Sequence, residues 1–346
     1  MSKTDLDFTF LFWELENSSK TPLMAWPCQG YPHANLLIPA MERVGAKFQN
    51  IELHDYIQEK EPFKTIGEKI ESDKIVVEWD GIFNTKDWRT LLGLEKEIYV
   101  ILHNEMHSET TPAKETMMRK EITEKSKNVI FQSEWGRNLW KENKCDKQVI
   151  LYPPTRTGKV FDREMSRYAV GITSKYALIC WGFYSGKNYE AMMPVVNKWK
   201  DTSILFCGCG DKIKLQNEAK RHNISNQVFF SPSGISEEDS DLWFSAADIH
   251  AYPRTTIGTS TLVDVIGHGL CSVAPPIDIY IEMATLSGTV ITKDVGQTTR
   301  ELLLDPEKRK VYEASSRVYA ENNSFEKYAI RLGDLMGYKY KEKDKE

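Results

Sequence analysis

Short apolar runs alternate with longer segments of helical periodicity along nearly the whole chain. Runs rich in Val, Ile, Phe and Tyr predict buried strands, and apolar residues three or four apart predict helices that pack on them. The strands predicted in the first half are Phe8–Trp13, Phe48–Leu53, Lys74–Trp79, Glu97–Leu102, Asn128–Gln132 and Gln148–Tyr152. The helices predicted between them are His33–Val44, Thr85–Leu94, Ala113–Lys125 and Glu134–Glu142. This alternation is typical of a doubly wound α/β sheet, in which crossover helices join parallel strands.

The alternation is interrupted once and then restarts. The segment PPTRTG at 153–158 breaks the pattern, and a mixed stretch runs to about Ser174, where we expect a domain linker. The strands predicted beyond it are Tyr176–Trp181, Ser203–Cys207, Gln227–Phe230, His250–Tyr252 and Thr289–Ile291, with helices at Lys187–Trp199, Lys212–His222, Glu237–Ala247 and within 298–336. We therefore expect Rossmann-like domains at 1–170 and 171–325, followed by a C-terminal helix and a charged tail at 326–346 whose end, KYKEKDKE, frays.

Composition and charge exclude several classes of protein. The net charge is −5, whereas a nucleic-acid binder usually carries a basic patch. No apolar run is long enough to span a bilayer, and the start, MSKTDLDFTFLFWELE, lacks the pattern of a signal peptide. The six cysteines form no C-x-x-C pair. These features predict a soluble, cytoplasmic protein with reduced thiols.

The stretch HAYPRTTIGTSTLVDVIGHGLCSVAPP, residues 250–276, has the pattern of a strand, a polar turn, a short helix and a second strand. The hydroxyl residues at 259–261 are good helix N-caps, and Gly269 stands where the helix would end. The unpaired N–H groups of such a helix start favour a phosphate, and Asp264, one turn further, could accept hydrogen bonds from sugar hydroxyls. The same pattern also fits an ordinary strand–turn–helix corner with an exposed carboxylate.

Two other loops after predicted strands combine glycine with polar residues. In GFYSGKN, which follows Tyr176–Trp181, Lys187 opens a helix and could pair with a diphosphate, or it could simply be solvated. The spacing is not that of a P-loop. In SPSG, which follows Gln227–Phe230, the turn at Ser233 and Gly234 is suited to packing against a nucleotide base.

A histidine follows the predicted strand Glu97–Leu102. His103 begins the motif HNEMH, in which His107 stands four residues later. A zinc-peptidase motif requires Glu directly after the first His, and both on a helix, so a zinc site is not favoured. A histidine at the carboxyl end of a strand is either functional or a hydrogen-bonded structural residue.

Together these pieces resemble the retaining GT-B glycosyltransferases of glycosyltransferase family 4. The similar pieces are EIYVILHNEMH, NVIFQSEWGRNLW, WGFYSGKN, CGCGD, VFFSPSG, AADIHAYPR and TIGTSTLVDVIGHGLCSVA. No single piece is specific, but their order and spacing are. The resemblance implies a GT-B fold, two doubly wound Rossmann-like domains facing a cleft. It also implies transfer of a hexose from a nucleotide-sugar donor to a glycan, lipid-linked or small-molecule acceptor, with retention and without a metal or other cofactor.

By position, the resemblance assigns roles to individual residues. Lys187 would hold the donor diphosphate, Asp264 the ribose hydroxyls, and His103 would lie near the anomeric centre. Donor or acceptor contacts are implied for Gly30, Ser185, Gly186, Ser233, Gly234, Arg254, Thr256, Gly258, Thr259 and Ser260. Two positions depart from the family, because Phe183 replaces an arginine and Thr256 replaces the first acid of a glutamate pair. Arg254 could supply the missing cation.

Three classes of function stay open at this point. The first is the glycosyltransferase, and the second is a degenerate GT-B protein that binds a nucleotide sugar or a partner without turnover. The third is a GT-B relative of another reaction class, such as an epimerase or a phosphorylase. For membranes, the segment Lys114–Lys127 combines basic residues with Met117, Met118 and Ile122. We expect these apolar residues to pack a crossover helix on its sheet, with at most weak membrane contact.

Overall fold

The computed structural model describes residues 6–12, 33–56, 62–79, 85–102, 112–140, 146–184, 188–232, 235, 237–254 and 260–341. Contacts divide these residues into two compact units. The first unit contains the described residues up to Pro153 and those from Phe325 onward, and the second contains those from Pro154 to Ser324. Each unit is built on its own six-stranded parallel sheet.

The sheet of the first unit has the strand order β2-β1-β3-β4-β5-β6. Its strands are β1 Phe8–Phe12, β2 Phe48–Glu52, β3 Lys74–Trp79, β4 Glu97–Leu102, β5 Asn128–Phe131 and β6 Gln148–Ile150. Its crossover helices are α1 His33–Arg43, α2 Pro62–Lys69, α3 Thr85–Leu92, α4 Pro112–Lys125 and α5 Glu134–Asn138, with a 3-10 turn at Leu53–Tyr56. All six strands lay within predicted runs, whereas α2 was not predicted.

Helix α4 packs on this sheet through two of the three apolar residues that the sequence singled out. Met118 and Ile122 are buried in the core of the first unit. Met117 is 43% exposed, and its sulfur lies 3.8 Å from the guanidinium of Arg89. The prediction of a crossover helix is therefore confirmed for Met118 and Ile122 and is wrong for Met117.

The sheet of the second unit has the strand order β12-β11-β10-β7-β8-β9. Its strands are β7 Tyr176–Phe183, β8 Thr202–Cys209, β9 Val228–Phe230, β10 Ile249–Ala251, β11 Ser272–Ala274 and β12 Thr289–Ile291. Its α-helices are α6 Arg163–Val170, α7 Met193–Val196, α8 Lys212–Arg221, α9 Glu237–Ala246, α10 Ser260–Gly267, α11 Asp278–Leu286, α12 Val295–Leu304 and α13 Pro306–Asn322, with 3-10 turns at Tyr189–Met192 and Ser225–Gln227. This strand order is that of a dinucleotide-binding Rossmann sheet.

Helix α6 lies where the sequence predicted a linker. Asp162 caps its start, and Gly171, with φ 85°, ends it. The helix is fixed to the second unit because both Arg163 and Arg167 form ion pairs with the buried Asp248. By their contacts, residues 154–170 therefore belong to the second unit. The sequence had instead predicted that the first domain extends to residue 170.

The predicted helix Lys187–Trp199 is shorter and less regular in the structure. Its described part is the 3-10 turn Tyr189–Met192 followed by the single turn of α7. Pro194 stands at the start of α7, where its missing N–H is tolerated, but that nitrogen cannot donate within a continuous helix.

The helix α14, Phe325–Met336, belongs to the first unit, where it packs on α1. Beyond it, the hydroxyl of Tyr338 donates to the backbone oxygen of Asp7, and that of Tyr340 donates to its carboxylate at 2.8 Å. The expectation that the tail frays from Lys339 onward is thus wrong for Tyr340, because this contact holds it.

Candidate functional site

The second sheet contains a topological switch point between β7 and β10. These strands are neighbours, but the chain proceeds from β7 to β8 on one side and from β10 to β11 on the other. The connections that follow them therefore diverge, and a crevice opens beyond their carboxyl ends. The loops after β7 and β10 border this crevice.

Two glycines let the ends of β7 and β8 come unusually close. Gly182 has φ 97°, a value that side-chain-bearing residues rarely adopt. A Cβ atom placed on Gly208 would lie 2.0 Å from the backbone oxygen of Gly182, so no other residue fits there without displacing the strand. The backbone next to the crevice is therefore bare, as close approach of a ligand would require.

Asp264 is held in a defined position beside the crevice. It lies in α10, and its Oδ2 accepts a hydrogen bond of 3.0 Å from the indole N–H of Trp181, near the end of β7. Trp181 is itself buried and packs against Phe244, with ring centroids 4.8 Å apart. A carboxylate can accept several hydrogen bonds at once. The hydrogen bond from Trp181 therefore fixes the orientation of the Asp264 carboxylate beside the crevice.

Arg254 carries a positive charge at the start of the loop after β10. Its Nη1 donates to the hydroxyl of Tyr252 at 3.2 Å. Tyr252 is fully buried, and burial raises the pKa of its phenol, although the neighbouring guanidinium of Arg254 opposes this. The phenol therefore stays neutral and acts as a fixed anchor for the cation.

Asn188 connects the two loops that border the crevice. Its backbone is left-handed, with φ 55°, and its side-chain amide donates to the backbone oxygen of Pro253 at 3.4 Å. Asparagine tolerates this conformation better than most residues. The described end of the loop after β7 is thereby tied to the described start of the loop after β10.

Helix α10 begins at the edge of the sheet where the strands end. It follows β10 and leads back to the start of β11, so its amino terminus lies at the same edge as the crevice. Unpaired N–H groups and the positive end of the helix dipole favour an anion there. The predicted helix start near Ser260 and the turn at Gly269, with φ 72°, are confirmed.

Three predicted site residues lie in the described part of the chain. The structure brings Asp264 and Arg254 to the loops and helix that border the switch point, and Ser260 is the first residue of α10. The others lie outside the described residues: Gly30, His103, Ser185, Gly186, Lys187, Ser233, Gly234, Thr256, Gly258 and Thr259. Their roles stay predictions.

Sequence reasoning missed three residues that shape the site, Trp181, Asn188 and Tyr252. A buried indole or phenol needs a hydrogen-bond partner, and an asparagine after Gly-Lys is a signal for a left-handed turn. These signals identify candidates for fixed positions. They do not identify the partner, which for Trp181 lies 83 residues away in the chain.

The first unit has a buried amide at the corresponding edge of its own sheet. Gln132 directly follows β5, is 4% exposed, and its Nε2 has no hydrogen-bond partner among the described residues. Leu102 at the end of β4 pairs with Phe131 at the end of β5. Gln132 is thus a buried donor at the carboxyl edge, a position that the sequence did not single out.

Comparison with solved structures finds this architecture in glycosyltransferases. Sucrose-phosphate synthase from Thermosynechococcus elongatus matches with a TM-score of 0.72 and 14% identity, over 95% of this chain and 98% of that one. A glycosyltransferase from Rickettsia africae matches with a TM-score of 0.72 and 12% identity, over 95% and 97%. WaaG, a glycosyltransferase involved in lipopolysaccharide biosynthesis, matches with a TM-score of 0.63 and 13% identity, over 95% and 99%.

These similarities establish the fold. It is the α/β fold of GT-B glycosyltransferases, with two doubly wound Rossmann-like domains, as the sequence predicted. No protein-family model matches the chain, and no curated protein matches it in sequence. Within the described ranges, no three His, Cys, Asp or Glu side chains lie together as metal ligands would. None of the helices described above is both long and apolar enough to cross a membrane.

Proposed function

We propose that this chain is a retaining glycosyltransferase of family 4 type, which transfers a hexose from a nucleotide-sugar donor to a glycan, lipid-linked or small-molecule acceptor. The observation that carries the proposal is the oriented carboxylate of Asp264 at the switch point of the second sheet, held by Trp181 at 3.0 Å. Ligands of open α/β sheets bind in such crevices, and a fixed carboxylate there is suited to a ribose.

The proposed donor site collects positive charge where negative charge develops. Departure of a nucleoside diphosphate leaves charge on the phosphates, which cations and N–H groups aimed at them stabilise. Lys187 pairs with the diphosphate in this proposal, the start of α10 donates N–H groups, and Arg254 supplies the cation that the family has at the position of Phe183. These groups replace a metal ion, so none is required.

The proposed chemistry is substitution on one face of the donor sugar. The bond from the anomeric carbon to the leaving phosphate breaks, and a bond to the acceptor oxygen forms on the same face. The acceptor proton passes to the leaving phosphate oxygen, so no pair of catalytic carboxylates is needed. His103 lies near the anomeric carbon in this scheme, and Gln132 is a candidate donor of a hydrogen bond to the acceptor. We place the reaction in the cytoplasm.

The test has a binding arm and a turnover arm. Lys187→Ala should weaken nucleoside diphosphate binding by about 1.5–3 kcal/mol, the value of a hydrogen bond to a charged group, with a smaller effect on the monophosphate. Lys198→Ala, which replaces an exposed lysine beyond α7, is the matched control. Calorimetry measures both variants. Equal diphosphate affinity in the two variants would contradict the proposed role of Lys187.

Turnover distinguishes the transferase from a protein that only binds. A panel of nucleotide sugars, each with and without candidate acceptors, should give a glycosylated product and a free nucleoside diphosphate. The second candidate, a degenerate GT-B protein, is favoured by the departures at Phe183 and Thr256. It predicts binding of a donor without product under every condition of the panel.

A further inference from the structure

The second unit contains a cavity of about 420 Å³ that is separate from the candidate donor site. Its walls are the segment before and at the start of α6, the ends of α9 and α10, and part of α13. Leu270 in its lining lies two residues before β11 begins, and Phe244 lies in the last turn of α9, before β10. The cavity therefore opens where strands start, whereas the crevice with Asp264 lies where strands end.

The cavity has a rigid aromatic wall. Phe244 stacks on the ring of His268, with centroids 3.9 Å apart and planes at 23°. The ring of His268 is fixed at both nitrogens, since Nε2 lies 2.7 Å from Oδ1 of Asp241 and Nδ1 lies 2.8 Å from the backbone oxygen of Asp264. Both rings are held in place, so this wall of the cavity is preformed.

The segment that forms the mouth is also held in place and is partly apolar. The backbone N–H of Phe161 donates to the hydroxyl of Ser245 at 3.0 Å. Val160 next to it lines the cavity and is nevertheless 77% exposed. Val160 thus adds apolar surface at the mouth of the cavity.

The charged groups of the lining favour an anion. The lining contains three cations, Lys159, Arg163 and Arg317, and two carboxylates, Asp162 and Glu313, and Arg163 is already paired with Asp248. Both carboxylates are already engaged, because Asp162 caps α6 and Glu313 accepts at 3.0 Å from an arginine of its own helix. The side chain of Arg317 is 61% exposed, and its Nη2 lies 3.7 Å from Oε2 of Glu313. An ion pair with so exposed a partner contributes little energy, so the guanidinium can turn toward a ligand.

We propose that this cavity binds a small amphipathic anion, with a planar apolar body against Phe244 and His268 and an acidic group facing Arg317 and Lys159. Its volume falls in the range of about 300–1,000 Å³ that is usual for small-molecule sites. Charge-assisted hydrogen bonds from guanidinium to an acidic group supply the specificity. The proposal is independent of the donor site, because it rests on residues of the opposite edge.

The probe for this site is 8-anilinonaphthalene-1-sulfonate, which combines an aromatic body with an acidic group. Titration of the full chain, followed by fluorescence and calorimetry, should show one saturable site. Arg317→Glu should weaken the probe's Kd about tenfold or more, since a charge-assisted contact is lost and repulsion replaces it. Lys308→Glu is the matched control, because this residue of α13 is exposed and absent from the lining. Equal affinities of the two variants would overturn the proposal, as would binding without saturation.

A second pair of variants avoids any risk to folding, because Val160 is exposed. Val160→Asp should weaken probe binding by repulsion, whereas Val160→Ser should have a smaller effect.

Competition experiments then test separately the apolar body and the acidic group of the proposed ligand. Benzoate should displace the probe, and benzyl alcohol and inorganic phosphate should do so far less well. If phosphate displaced the probe as well as benzoate does, the proposed contact with an apolar body would be wrong. If benzyl alcohol displaced it as well as benzoate does, the proposed contact with an acidic group would be wrong.

Discussion

Replacing Asp241 with Asn should destabilise the second unit by an amount that depends on pH. The side chain of Asp241 is 4% exposed and accepts hydrogen bonds from Arg156, from His268 and from the backbone N–H of Lys159. Asparagine keeps the size of the side chain but removes the negative charge. The partly buried guanidinium of Arg156 would then lack its anionic partner.

The magnitude follows from the pKa of the carboxyl group. Burial alone would raise the pKa of Asp241, but hydrogen bonds from His268 and Arg156 outweigh it and lower the pKa from 3.8 to about 2. A difference of about 1.8 units corresponds to about 2 kcal/mol of stability. Because the folded pKa is the lower one, this stabilisation is fully present above about pH 5 and is lost as the pH falls toward 2, with about half remaining near pH 3.

Urea unfolding at pH 7 and pH 3 measures this dependence, with hydrogen exchange of peptides from β10 and β11 reporting the second unit. The free energy of unfolding of Asp241→Asn should lie about 2 kcal/mol or more below that of the unmodified chain at pH 7, and this gap should shrink by about 1 kcal/mol at pH 3. Asp239→Asn, an exposed position on the same helix, should cost less than about 0.5 kcal/mol. A gap of equal size at both pH values would refute the reasoning.

Three further predictions concern the proposed donor site. Trp181→Phe removes the indole N–H that holds Asp264, so donor KM should rise up to about tenfold, and the smaller buried ring should also lower Tm. Steady-state kinetics and calorimetry check both effects, and an unchanged KM would contradict the positioning role. Thr256→Glu should fold normally and should keep or increase kcat, and a large loss of Tm would show instead that this position is structural. Activity should survive EDTA, because Lys187, Arg254 and the start of α10 supply the positive charge, and loss that Mg²⁺ restores would count against this chemistry.

The strands could be predicted from sequence because their signal is local. Lys74–Trp79, Glu97–Leu102 and Thr289–Ile291 match the structure to the residue. Each is a run rich in β-branched or aromatic residues that begins with a polar residue, and burial of such a run needs no knowledge of its neighbours.

Helix α6 could not be predicted in this way because charged residues provide much of its packing, although Val170 at its end does contact the core. Its sequence, REMSRYAV, has Met165 and Tyr168 exposed at 68% and 85%. Arg163 and Arg167 instead form ion pairs with the buried Asp248, about 80 residues further along the chain. A hydrophobic pattern cannot indicate a charge pair of this kind.

The candidate site shows the same division between local and distant signals. Asp264 and the start of α10 could be predicted because glycine and hydroxyl residues mark the turn before a helix. The hydrogen bond from Trp181 and the link from Asn188 to Pro253 depend on how β7 and β10 pair, and the sequence does not specify that register. The predicted roles of Lys187 and the residues near it rest on resemblance.

The position of α14 has a consequence for biosynthesis. This helix packs on α1 in the first unit, but a ribosome makes it only after the whole of the second unit. Domains usually fold as they emerge, with the N-terminal one first. Here the second unit can close while the face of α1 that packs on α14 is still uncovered. Stalling of translation between α13 and α14 would therefore leave the earlier-made domain, rather than the later one, in need of a chaperone.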